Sequence, residues 1–390
     1  MMRVDVKPEL LRWARERSGF SLDELMGRFP KLDLWEIEEA KPTLKQLEKF
    51  AKATYTPIGF LFLPEPPVEQ IPIPDFRTIN NESIARPSPN LLEMIYLCQQ
   101  RQAWYREYAG FAGIEPRGFV GSVRLDSPVE ETAEQMRQAL RFDLDARRDC
   151  PTWTEALRHF IAQADALGAL VMCSGVVLNN NTRRFDPNEF RGLAMADGLA
   201  PLVFINGADT KAGQMFTLAH ELAHLWLGES ALSNSDPAEV LHGPGNVADA
   251  GHAVERWCSR VAAELLVPLQ IMREEFRADE DTATEISRLA RRFKVSTLVI
   301  IRRIFDAGGF SRAEFHQAYA LELERLLARP AGSGGDFYLT QAARVSKRFA
   351  RALVESTLEG QTLYRDAFRL LGISKIETFH ELGRSLRFRI

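Results

Sequence analysis

In FTLAHELAHLWLG, residues 216–228, two imidazoles and a carboxylate stand in an otherwise apolar run. Each polar group costs free energy in such a setting unless a partner satisfies it. Together with the preceding TKAGQM, the run predicts a helix ending at Gly228. On a helix, positions i and i+4 share a face. His220 and His224 therefore point the same way, close enough for both to bind one metal, and Glu221 projects beside them. This is the HExxH arrangement of zinc hydrolases. A metal there lowers the pKa of its bound water to about 7 and polarises a scissile carbonyl. Glu221 takes the water proton and delivers it to the leaving amine.

A catalytic zinc wants a third protein ligand and one open position. The longer HExxHxxGxxH pattern is absent, because Ser230 stands where its last histidine would be. The downstream candidates are His242, His252, Glu255 and Glu264. His242 falls in a Gly/Pro-containing loop. Glu255 falls on a predicted helix whose neighbours Val254, Trp257, Val261, Ala262, Leu265 and Leu266 suggest burial. A metal gives a carboxylate on that helix its reason. Glu255 is the first choice and His252 the second; the alternative for Glu255 is a surface residue paired with Arg256 or Arg260.

The 390 residues exceed one ordinary core, so two to four domains are expected. A composition 45% hydrophobic and 26% charged is that of a soluble globular protein. The net charge of -4 argues against a strongly basic nucleic-acid binder, though not against a local basic patch. No run of about 18 apolar residues predicts a membrane-spanning helix. The stretch MMRVDVKPELLRWARERSG has no apolar segment of the signal-peptide kind, and the four scattered cysteines suit reduced thiols. The expected location is the cytoplasm.

The fold class expected is α+β, mostly helical: a small β-sheet and the HExxH helix, flanked by helix-turn-helix-like helical domains. Residues 1–67 hold short helices with tight turns, in PELLRWARERSG, SLDELMGRF and PTLKQLEKFAKA. A proline-rich stretch, TPIGFLFLPEPPVEQIPIPDFRT, reads as extended chain from about Tyr55, with the linker proper at 68–90. The central domain is placed at 91–270. It opens with a long helix from Leu91 to Gly113 and continues with helices at 129–142 and 153–167. ALVMCSGVV and PLVFIN are β-rich runs, with a loop or hairpin between them. Residues 229–251 read as a long polar loop that covers the cleft. HAVERWCSRVAAELLVP is a helix stopped by Pro268. A second helix-turn-helix-like segment spans 271–328, turning at Lys294-Val295-Ser296. After the glycine-rich RPAGSGG, a helical segment covers 336–390.

HELAH, followed some thirty residues on by ERWCSRVAAELLVP, resembles the ImmA/IrrE family of zinc metallopeptidases. Glu255 matches that family's third ligand. Ala262-Ala263 and Leu265-Leu266-Val267-Pro268 match its following motif, from which Ser259 and Val261 depart. The FRG and PLVFIN stretches share in the resemblance. Residues 1–78 resemble the helix-turn-helix module of longer members. The resemblance implies a zincin-like core with one Zn2+ per chain, and cytoplasmic cleavage of chosen regulatory proteins. Those are transcriptional repressors or toxin-locus partners in stress, mobile-element or phage-defence circuits. A PIN-type toxin and a second copy of the chain are further partners it implies.

In zincins a substrate adds as a strand to a sheet edge. That edge is expected near Pro201–Asn206 or the preceding FRG, with Arg191 and Asn206 as substrate contacts. The competing reading is a non-catalytic regulator or antitoxin that binds a toxin and operator DNA. Residues 1–67 carry eleven Lys/Arg and eleven Asp/Glu, and FPKLDLWEIEEAK presents acids that repel phosphate. Arg288, Arg291, Arg292 and Lys294, with Arg302 and Arg303, make the better basic face. An intact Glu221 favours the enzyme, because a structural zinc site needs no general base.

Overall fold

The structure, a computed structural model, describes residues 3–76, 86–234, 250–327 and 344–388. The chain divides into two compact units. One comprises Met1–Pro72 with Ile84–Tyr96, the other Ile73–Ser83 with Leu97–Ile390.

In the first unit, α1 (Pro8–Arg17), α2 (Leu22–Met26), α3 (Leu32–Glu36) and α4 (Leu44–Ala53) surround a core that includes Leu10, Leu11, Leu32, Trp35, Leu47 and Phe50. Ser21 with Glu24 and Thr43 with Gln46 form reciprocal capping boxes that fix two of the starts. The stretch after Tyr55 departs from the extended chain its prolines predict. Ile58–Phe62 winds into a 3-10 turn, and Leu61 is buried in the core. Pro57 precedes the turn, where it removes no needed donor, and burial of Leu61 rewards the compact form. In α3, only five residues long, Glu36 is buried and paired with Arg15 at 2.8 Å.

The second unit is mostly helical around a small mixed sheet. It includes most of α5 (Pro89–Phe111), followed by α6 (Val129–Leu140), α7 (Leu144–Arg148) and α8 (Trp153–Leu167). Gly168, at φ +118°, lets the chain leave α8 and enter β1 (Leu170–Ser174). β2 (Gly192–Met195), β3 (Leu202–Asn206) and β4 (Ala231–Ser233) complete the sheet in the order β1-β3-β2-β4. β1 and β3 are parallel, while β2 is antiparallel to both β3 and β4. The Asp197 carboxylate accepts the N–H groups of Leu199 and Ala200, both at 2.9 Å, and tightens the β2–β3 turn.

This order corrects two expectations. β3 and β2, where the substrate edge was expected, are interior strands; the margins are β1 and β4. β4 itself lies in the stretch read as loop. Ala231-Leu232-Ser233 is too short to display alternation, and all three residues are buried. Of that stretch, residues 235–249, with the cleft-covering role and His242, lie outside the described residues.

α9 (Lys211–Leu227) crosses the sheet, capped by Thr210 and ended by Gly228 at φ +76°. Residues Gln214–Trp226 are all buried, because the sheet, α8 and α10 (Ala250–Leu266) pack around the helix. That explains a sequence apolar on every face. Pro268 separates α10 from α11 (Leu269–Glu275). The last carbonyls of α10 are met by guanidinium groups: Arg137 donates to Glu264 O at 2.7 Å, and Arg147 donates to Leu266 O. Cations there also suit the helix dipole. α12 (Thr282–Phe293) and α13 (Thr297–Asp306) follow, with Lys294 at φ +52° in the turn, then α14 (Arg312–Leu327). Three helices, Lys347–Leu358, Tyr364–Leu371 and Ile376–Ser385, close the chain.

Candidate metal centre

α9 and α10 pack directly on each other, and their contact brings together His220, His224 and Glu255. The two imidazoles lie one turn apart on α9, with Nε2 atoms 3.1 Å from each other. Glu255 reaches in from α10: Oε1 lies 2.9 Å from His224 Nε2, and Oε2 lies 3.2 Å from His220 Nε2. A tetrahedral zinc with bonds of about 2.1 Å separates its ligand atoms by about 3.4 Å. The observed spacing is near that value, so the donor set fits a zinc-sized ion. His252 and Glu264 are not part of the cluster.

Three neighbours set the environment. Ser259 Oγ lies 3.2 Å from His220 Nδ1. With Nε2 turned to a metal, the Nδ1–H donates to that hydroxyl, which fixes the ring and its tautomer. The Ser233 hydroxyl donates to Glu255 Oε1 at 3.4 Å. Gly192, at the start of β2, admits the Glu221 side chain against bare backbone. A Cβ there would lie 2.7 Å from Glu221 Oε1 and 2.5 Å from Thr217 Cγ2. A glycine opening a strand, one strand ahead of a HExxH helix, is the signal for this role in the sequence. Ser233 carries no such signal, because its partner is distant in the chain.

Glu221 is fully buried, and among the described residues neither of its oxygens has a partner at hydrogen-bond distance. Burial, reinforced by the charge of Glu255, raises its pKa well above the usual carboxylate value; the nearby Ser233 hydroxyl works the other way. Burial alone would raise Glu255 too, but the two imidazoles hold it well below the usual range. His224 is lowered by burial, against the pull of Glu255. Their surroundings thus push the two carboxylates apart, Glu255 toward the charged form and Glu221 toward the protonated one. That division suits a ligand beside an acid–base group.

The other residues singled out in the sequence fall elsewhere. Asn206 is buried, donating to Phe190 O and accepting from Ala208 N, both at 3.0 Å, which fixes a turn rather than facing a substrate. Arg191 lies 3.7 Å from Asp209, and its backbone N–H extends the β2–β4 pairing by donating to Ser233 O at 3.1 Å. The basic face of α12 is largely engaged. Arg288 pairs with Glu275 and Glu285, and Arg292 with Glu275 and Asp145. Lys294 is buried with its ammonium over the Trp153 ring, and Arg291 is exposed. Among the described residues no helix is long and apolar enough to cross a membrane.

A pair of helices that brings two histidines and a glutamate to one point, beside a buried carboxylate without a hydrogen-bond partner among the described residues, defines a candidate metal-dependent hydrolase centre. Residues 164–305, which contain all of it, match a peptidase-family model described as the IrrE N-terminal-like domain. Residues 345–385 match a domain of unknown function (DUF8813). No curated protein and no solved structure matches the chain.

Proposed function

We propose that the chain is a zinc-dependent endopeptidase of the ImmA/IrrE type that cleaves a regulatory protein partner. The observation that carries this reading is the convergence of His220, His224 and Glu255 on one point beside Glu221. When bound there, zinc supplies Lewis acidity at the position the three ligand atoms face. Glu221 accepts a proton from the attacking water and passes it to the leaving amine nitrogen. Ser259 holds the His220 ring, and Ser233 holds Glu255. The substrate lies extended along the sheet margin beside α9. Residues 1–67 select the partner, a transcriptional repressor or a protein of a toxin locus. The regulator reading, in which the N-terminal bundle or the basic face of α12 meets operator DNA, draws little support from residues 1–67 that balance eleven bases with eleven acids and from an α12 face spent largely on internal ion pairs.

Elemental analysis of the purified protein tests the site. About one zinc per wild-type chain, lost in Glu255→Ala, is the expected result. Zinc absent from the wild type, or retained in Glu255→Ala, would remove the ligand set and with it the peptidase.

A further inference from the structure

β2 occupies one side of β4, and the other side is also taken. Pro74–Phe76, within the second unit, runs parallel to β4 with Asp75 opposite Leu232. The Phe76 N–H donates to Leu232 O at 3.0 Å, and the Leu232 N–H donates to Pro74 O at 2.9 Å. The Phe76 ring stacks on the His224 imidazole, centroids 6.2 Å apart and planes 18° from parallel. A three-residue stretch of the chain therefore sits where strand addition would place a peptide, with its aromatic side chain on a ligand histidine.

We infer that the outer edge of β4 is the substrate-docking edge, and that Pro74–Phe76 is its resident occupant, which a substrate strand must displace. The inference rests on the peptidase reading. β4 is the sheet margin beside the cluster, since Ser233 at its end contacts Glu255. An extended peptide pairing with β4 would need the Leu232 N–H and C=O, and these are the two groups that Pro74 and Phe76 engage. The segment is also built to leave. In IPIPDF, residues 71–76, Pro72 and Pro74 have no N–H, so the ladder cannot lengthen toward the N-terminus. The same prolines keep the segment extended when released, so it loses little entropy on docking again once a substrate strand departs. Only Ile73 separates Pro74–Phe76 from Pro72, the last residue of the first stretch of the N-terminal unit. Tension from a partner held by that unit is transmitted along the backbone to the blocking strand.

The test uses the zinc-loaded chain of residues 1–390 and a Pro-Leu-Gly hydroxamate peptide as probe, in wild type and Phe76→Ala. Phe76→Leu, which keeps bulk but not the ring face, replaces Phe76→Ala if the latter does not fold. Zinc content, probe affinity by calorimetry and amide exchange at Phe76 and Leu232 are measured. Removing a competing occupant raises apparent affinity by the freed fraction, here expected to be about tenfold, with zinc unchanged. In wild type, saturating probe should expose the Phe76 amide to exchange. Equal affinity in both proteins, with the Phe76 amide still protected in the complex, overturns the inference and leaves the peptidase reading standing. Zinc bound without probe binding in either protein overturns it as well. A chain that takes up no zinc removes the peptidase reading and this inference together.

Discussion

Two glutamates on α10 are both nearly buried, yet they are resolved in opposite ways. Glu264 is satisfied by protein alone. It pairs with Arg303, and its oxygens accept the Leu269 N–H, each at 3.2 Å. Arg303 is completed by Asp306 at 3.3 Å and by Val267 O at 2.9 Å. Nine residues earlier, Glu255 faces two imidazoles whose usable nitrogens crowd one point, and beside it neither Glu221 oxygen has a hydrogen-bond partner among the described residues. Buried polar groups in a structural network close on each other; groups left open by the protein are placed for something that comes from outside. The contrast separates a hinge that holds α10 and α13 together from a site that holds a ligand.

The strongest way to sharpen this contrast is Glu221→Gln. Losing a general base should lower peptide hydrolysis by about 10²–10⁴-fold while zinc content stays the same. Parallel assays of casein hydrolysis and bound metal check it, and loss of zinc would make Glu221 a ligand instead. Next in size is Arg303→Met, which strands a buried Glu264. It should destabilise the fold by about 3–5 kcal/mol in urea unfolding, with the ligand set intact. A smaller cost would mean that water reaches the network. Ser259→Ala removes the partner of His220 Nδ1 and should weaken zinc binding by about 10–100-fold in chelator competition. Unchanged affinity would show that the ring is held by packing alone. Arg291→Ala, on the exposed face of α12, should leave stability within about 0.5 kcal/mol of wild type. A larger loss would place it with Arg303.

What was legible in the sequence was local or periodic. His220 and His224 share a face because helical spacing says so, and the apolar letters around them announce a buried helix. The α12–α13 turn shows in Lys294-Val295-Ser296, and Ser296 caps α13. Glu255 stood first among four candidates on the apolar pattern of α10, which could not by itself reveal that Glu264 has Arg303 to meet. The illegible parts depend on pairing across the chain. β4 is three residues long, and which strand lies at a margin is a matter of topology, so PLVFIN looked as suitable an edge as any. The engagement of Arg288 and Arg292 could not be read from α12, because Glu275 and Asp145 belong to other helices. Phe76 sat in a stretch whose prolines said only that it is extended.

The three candidate ligands come from two helices separated by the thirty residues between His224 and Glu255. A metal held by them would act as a cross-link that closes this loop, restricting the unfolded chain much as a disulfide does. Folding and metal uptake then become a single equilibrium. At a free-metal concentration about a thousand times the Kd, the linkage adds about 4 kcal/mol to stability, a sizeable share of what a domain possesses. The persistence of the folded chain would follow the supply of free metal, so scarcity would silence the protein through turnover as well as through an empty site.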